Sequence, residues 1–144
     1  MSQPIIAQAR TWIGTPYHHQ ARLKGVGCDC LGLVVGVASE LKLTDETGKL
    51  LSSFDQTNYS TQPDGQLLTG KLQALLNEIP IADKAPGDLA LFKIDGNPQH
   101  MGLLSDFEGG IGVIHSYVSS GKVVEHRLDK KWEQRIVKVF RWQP

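Results

Sequence analysis

Residues 28–43 read CDCLGLVVGVASELKL, and the fold turns on how that stretch is taken. Its apolar positions Leu31, Val34, Val35, Val37, Ala38 and Leu41 cover most of a helical surface rather than one stripe. That pattern describes a helix from Cys30 to Leu43 buried deep in a core. Asp29 stands immediately before it, where a short carboxylate accepts the unpaired N–H groups of a first turn and acts as N-cap. Cys30 therefore opens the helix, and the free amides and helix dipole there favour a thiolate.

Upstream, Pro4 followed by Ile5, Ile6, Ala7, Ala9, Trp12 and Ile13 has helical spacing, and Gly14-Thr15-Pro16 stops it. Residues 17–29 are polar and show no period, so they read as a loop running up to Cys30. Downstream, residues 44–65 are again polar and form a long loop or insertion of the kind that shapes binding sites. Leu67, Leu68, Leu72, Leu75, Leu76 and Ile79 restore the helical period until Pro80 ends it. After Pro86 come short runs rich in β-branched and bulky residues: 88–94, 101–104, 111–118, 122–127 and 135–142. Turns at Gly96-Asn97-Pro98, Glu108-Gly109-Gly110 and Ser119-Ser120-Gly121 separate them. Helices first and an antiparallel meander second predict an α+β fold, with residues 1–144 forming a single domain without repeats.

The chain has 144 residues, enough for one compact core. Fifteen basic and fifteen acidic side chains cancel, so no long-range field draws it to nucleic acid or an anionic membrane. The longest apolar run, Leu31 to Ala38, falls far short of the roughly twenty residues that span a bilayer. The N-terminal MSQPIIAQAR has no basic start, apolar stretch or small-residue cleavage site, which places the protein in the cytoplasm at synthesis. Cys28 and Cys30 are too close in sequence to staple distant segments, so their chemistry is metal, redox or nucleophilic.

Cys30 has two readings, an activated nucleophile or a small buried hydrophobe. The nucleophile needs a histidine partner, and His100 and His115 flank an expected hairpin. Registers that pair His100 with His115, Met101 with Ser116, or Gly102 with His115 put both imidazoles on one face; a slip by one residue separates them. In a favourable register His100 takes the Cys30 proton and His115 holds the ring and its tautomer. Tyr17 closes the GTPY turn, either as an oxyanion donor beside the Cys30 amide or as an aromatic packing anchor. Cys28 and Cys30 together supply only two of the roughly four ligands of a zinc site, and the chemistry needs neither metal nor cofactor. Asp29 is a cap first, and with an exposed carboxylate it also binds a substrate amine. His18 and His19 are solvated or rim a cleft, and His126, within VVEHRLD, carries no assignment.

These residues fall within GTPYHHQARLKGVGCDCLGLVVGVASEL, APGDLALF, HMGLL, VIHSY and a closing W…RIVKVFRW. Taken in order they resemble the NlpC-type family of papain-like cell-wall cysteine peptidases, most of all its branch in tailed phages and gene transfer particles. The resemblance implies N-terminal helices packed on a five- to six-stranded antiparallel sheet, with Cys30 as nucleophile, His100 as base, His115 as the polar third residue and Tyr17 assisting the oxyanion. It further implies hydrolysis of amide bonds in peptidoglycan stem peptides, often between D-glutamate and a diamino acid, with phage tail-tip proteins as partners and a virion or phage-like particle as the route to the wall. Two departures bear on substrate recognition: Leu31 stands where many relatives have Ser, and HHQARLKGVG replaces an early glycine pair. Asp29, Leu31, His18 and His19 are accordingly the candidate substrate-binding residues. The rival readings are a non-catalytic tail-assembly or wall-binding subunit, and an amidase or acyltransferase acting on a non-wall substrate.

Overall fold

Asp29 caps the central helix as its position predicts, its Oδ1 accepting the Gly32 N–H at 2.7 Å. The computed structural model describes residues 2–55, 65–94 and 96–143. Helix α1 (Ser2–Arg10) leads through tight turns to a two-stranded hairpin, β1 (Arg22–Leu23) and β2 (Gly27–Cys28). Then come the central helix α2 (Cys30–Glu40), a 3-10 turn (Leu51–Phe54), α3 (Gly65–Leu75) and strand β3 (Asn77–Ile79). The second half is β4 (Leu89–Ile94), β5 (Asn97–Phe107), β6 (Gly110–Tyr117), β7 (Lys122–Arg127), α4 (Lys130–Gln134) and β8 (Ile136–Arg141). The large sheet is antiparallel in the order β3-β8-β4-β5-β6-β7. This is the expected α+β, papain-like arrangement. Among the described residues no helix is long and apolar enough to cross a membrane.

Both faces of the sheet are covered, so β4 shows no polar alternation. Leu89 and Leu91 face the helices and join Ile5, Leu33, Val37 and Met101. Ala90 and Phe92 face the other way and join Leu104, Val113, Trp132 and Val139. Cross-strand period two thus sends β5 side chains alternately into two separate apolar clusters. Main-chain hydrogen bonds lay Gly14–Tyr17 along the start of β7: Gly14 N to Val123 O, Val123 N to Thr15 O and Tyr17 N to Gly121 O. Tyr17 then bridges to Cys28 in parallel, and Ser116 Oγ donates to the Cys28 carbonyl at 2.7 Å. These bonds hold the segment before Cys30 against β6 and β7.

The structure departs from the sequence expectations where pairing partners are remote. The α-helix of α1 stops at Arg10, and three-residue turns continue to Gly14. The 17–29 loop contains the β1–β2 hairpin, stabilised by a register no local period reveals. Ile79 is not helical: α3 ends at Leu75 and Ile79 pairs with Val139 as part of an edge strand. Asn97 and Pro98 already belong to β5, and α4 lies between β7 and β8 where no helix was expected. Of the 44–65 insertion, Thr44 bridges to Leu50 and the 3-10 turn follows, whereas 56–64 lie outside the described residues.

Gly32 shows how tightly the pre-Cys30 loop seats on α2, since a Cβ there would overlap the Ala21 carbonyl. Gly70, exposed on α3, has nothing within 4 Å of the same position. The same substitution should therefore act with opposite signs. Gly32→Ala is expected to destabilise by about 1–3 kcal/mol through overpacking against backbone, and Gly70→Ala to stabilise by about 0.5–1 kcal/mol through helix propensity. Urea unfolding midpoints at constant m-value check both.

Candidate active site

Cys30 occupies the first position of α2, half-buried, at the point where that helix meets β5. The N–H groups of Leu31 and Met101 favour its thiolate, so the sulfur lies beside the residue that follows His100. Burial nevertheless pushes the thiol pKa up to about 12, and the neighbouring Asp29 charge adds to the rise. The first-turn amide favours a thiolate as expected, and burial works against it. A helix terminus contributes up to about 2 kcal/mol, whereas removing a charge from water costs several.

His100 and His115 lie on the same face. The β5–β6 register runs Leu103↔Ile114 and Leu104↔Val113, which continues to Gly102 opposite His115, one of the favourable pairings. Gly102 leaves the space this requires, since a Cβ there would come within 2.8 Å of Val113 Cγ2 and 3.1 Å of His115 Cβ. His100 Nε2 and His115 Nδ1 are 2.7 Å apart, and both residues are buried. The row then continues. His115 Nε2 lies 2.9 Å from His126 Nε2, and His126 Nδ1 lies 2.8 Å from the Arg127 carbonyl. Trp132 of α4 walls the row, its ring centroid 4.8 Å from His115 and 5.8 Å from His100.

His126 is a site residue that sequence reasoning missed. Its only signal was the strand alternation that puts it on the face of Val124, and Val124 pairs with His115. Burial lowers the His100 pKa to about 3, with the Arg135 charge adding to the fall. His115 is lowered too, by burial first and then by His100 and His126. Among the described residues no hydrogen bond joins Cys30 to His100, and His100 Nδ1 is the ring nitrogen left without a partner. No buried side-chain nitrogen or oxygen among these residues lacks a partner, so that Nδ1 borders accessible space. Burial thus opposes charge on both the thiol and the imidazole.

Tyr17 is half-buried, and its phenol pKa is raised by burial first and then by the proximity of Cys30 and Asp29. The structure thus brings Tyr17 close to Cys30 with its proton held. Asp29 is only 3% exposed. Its Oδ2 accepts the Gln20 N–H at 2.8 Å, and its Oδ1 accepts both the Gly32 N–H at 2.7 Å and Arg22 Nη1 at 3.2 Å. The exposed carboxylate needed to bind a substrate amine is not present, because the cap role consumes it. Arg22, also missed, forks onto Asp55 at 2.8 and 3.1 Å and links the loop to the insertion. Nothing local in HHQARLKGVG points to a partner so far along the chain.

The remaining candidates divide. His19 Nδ1 stands 3.8 Å from Asp29 Oδ2, and the exposed His18 ring bonds the His19 carbonyl at 3.1 Å, so both stay on the loop before Cys30. Leu31 lines an apolar cavity with Val34, Val35, Leu51, Leu72 and Leu75, whose lining includes neither Cys30 nor the histidines. Cys28 is fully buried, and its thiol pKa is pushed up to about 11 by burial. Among the described residues no three His, Cys, Asp or Glu side chains gather in a metal-holding group.

A papain-like α+β domain with a helix-terminal cysteine and a strand-borne histidine pair is the class that fold and site define. The NlpC/P60 family pattern matches residues 14–141, and the chain belongs to that family. Comparison with curated proteins finds no match. Among solved structures the chain is similar to the NlpC/p60 domain of the peptidoglycan hydrolase SagA, at 18% identity over 97% of each chain with a TM-score of 0.64. An NlpC/P60 family protein from Bacillus cereus ATCC 10987 aligns at 18% identity and TM-score 0.69, covering 100% of this chain and 41% of that one. The peptidoglycan hydrolase RipB from Mycobacterium tuberculosis aligns at 24% identity and TM-score 0.62, covering 97% of this chain and 63% of that one. This chain thus spans less than two thirds of the latter two, and at such identities the likeness is one of fold.

The buried histidines carry a pH signature. Unfolded, each ring titrates near 6.5; folded, both stay neutral to much lower pH. The unfolded chain then binds more protons below about pH 6.5, so stability present above that pH is lost as pH falls toward 3. Each ring contributes a slope of about 1.4 kcal/mol per pH unit within that window. His115→Gln is expected to lower stability at pH 7 and to lose one ring's share of the slope between pH 6 and pH 5. Urea unfolding at the two pH values measures it.

Proposed function

We propose that this protein is a cysteine peptidase that hydrolyses amide bonds in peptidoglycan stem peptides, with the D-glutamate to diamino acid link as the bond. The observation that carries this reading is Cys30 at the start of α2, its sulfur beside the Met101 N–H, with the ring of the preceding residue, His100, held through Nε2 and bare at Nδ1. The names of two structural neighbours, SagA and RipB, as peptidoglycan hydrolases support the substrate class.

In this mechanism His100 Nδ1 takes the Cys30 proton as substrate binds, because burial disfavours a preformed ion pair. The thiolate adds to the carbonyl carbon, and the Cys30 N–H and the Tyr17 phenol receive the oxyanion. Tyr17 suits that task because its raised pKa keeps the proton in place. His100 next returns the proton to the leaving amine, the C–N bond breaks, and water attacks the thioester with His100 again as base. His18 and His19, on the loop before Cys30, are the remaining candidate substrate contacts, with His19 beside the Asp29 carboxylate.

A second reading, an amidase, is favoured by one comparison. An N-acetylmuramoyl-L-alanine amidase from Bacteroides uniformis ATCC 8492 aligns over 99% of each chain at 14% identity and TM-score 0.60. Association with phage tail-tip proteins, delivery to the wall in a particle and synthesis in the cytoplasm rest on the sequence alone. All three are proposals, and particle infectivity with Cys30→Ala tests the first two.

Incubation of the protein with purified peptidoglycan, followed by mass spectrometry of soluble fragments, tests the function. Wild type should release new fragments whose ends name the bond, and Cys30→Ala should be slower by about 1,000-fold or more. Fragments ending at the muramoyl–alanine bond would move the assignment to the amidase. No fragments from wild type would favour a non-catalytic wall-binding or assembly subunit.

A further inference from the structure

We propose that His126 is a positioning residue that sets the tautomers of His115 and His100 and so makes His100 Nδ1 the base. The inference deepens the reading above and rests on it only for Cys30 and His100 as the reacting pair.

The order of protons follows from one main-chain acceptor. A carbonyl oxygen only accepts, so the 2.8 Å contact to Arg127 O requires a proton on His126 Nδ1. A neutral His126 then presents a lone pair at Nε2. The 2.9 Å contact from His115 Nε2 must therefore be a donation, which leaves His115 Nδ1 bare. Across the 2.7 Å contact His115 Nδ1 can only accept, so His100 carries its proton on Nε2 and its lone pair on Nδ1. Each neutral imidazole holds one donor and one acceptor, so a choice at one end of the row is copied to the other. That lone pair is the one left without a protein partner, at the nitrogen bordering accessible space. When it takes a proton, the Nε2–H bond into the row becomes charge-assisted and stabilises the imidazolium.

The reverse order is equally self-consistent and inactive. A side chain at 126 that only donates would place a lone pair at His115 Nε2 and a proton at His115 Nδ1. His100 Nε2 would then accept, and its proton would move to Nδ1, where no base would remain. The groups around His126 are His115 from β6 and Trp132 from α4, with ring centroids 5.0 and 6.0 Å away. Arg127 beside it on β7 contributes the carbonyl, and its guanidinium reaches Glu108.

The test reads tautomers and thiol reactivity, neither of which needs a wall substrate. In the wild-type protein at pH 7.5, nitrogen-15 NMR should find His100 and His115 protonated at Nε2 and His126 at Nδ1. Alkylation of Cys30 by iodoacetamide, followed by intact mass, gives the functional readout, since Cys28 is buried. His126→Gln, whose amide oxygen can accept from His115, should keep the rate within about twofold, while His126→Lys should lower it by about tenfold or more. His126→Leu should fall between them. A proton on His100 Nδ1 in wild type overturns the proposal, as does an equal loss in the Gln and Lys variants. If His126→Lys does not fold, the wild-type spectrum and the Gln-against-Leu comparison decide. Correct tautomers without wall hydrolysis would refute the proposed substrate while leaving the positioning role intact.

Discussion

The Asp29 carboxylate is the junction on which the site depends. Buried beside the first turn of α2, it satisfies the Gly32 and Gln20 amides and meets the Arg22 guanidinium. A carboxylate in that position would be costly unless bonded on both oxygens, and these partners supply the bonds. Through them one side chain sets where α2 begins, how the preceding loop runs and, by way of Arg22 and Asp55, how the following insertion is anchored. Cys30 inherits its place from this junction. It also inherits a negative neighbour, which raises the energy of the thiolate.

That arrangement sets burial against charge throughout the site. Two effects compete at Cys30: the amides of a helix start and the Met101 N–H favour a negative sulfur, while burial and Asp29 oppose it. Burial prevails because desolvating a charge costs more than a helix terminus returns. The same burial keeps His100 and His115 neutral. In the proposed mechanism a neutral pair reacts only if the base nitrogen of His100 is bare, and this makes the tautomer of His100 the property on which that mechanism turns. The row of rings running to the Arg127 carbonyl is the device we propose for that control, on the far side of β6.

The sheet makes such a row possible because it is buried on both faces. Met101 and Leu103 pack against the helices, while His100 looks into the cluster formed by Phe92, Leu104 and Trp132. Glycine at 102 gives His115 room to sit across from the gap. Trp132, on a short helix between β7 and β8, closes the row from outside. The imidazoles therefore sit in an apolar slot that holds their rings and excludes water from their inner nitrogens.

Local patterns in the chain were enough to place α2, its Asp29 cap, the position of Cys30 and most strands, because each depends on spacing within a few residues. The α+β class followed from their order. Two candidates, His100 and His115, could be named from hairpin parity, although only as one of several registers. What tertiary structure decided were the features that join residues distant in sequence: Ile79 in an edge strand against Val139, Arg22 against Asp55, and His126 at the end of the row. It also decided the charge state of Cys30, because burial is a property of the surroundings and not of the residue. A helix start is written in the residues that form it. A hydrogen-bond order through three strands exists only once those strands have found their register, and a pKa is settled only once the core has closed around the group.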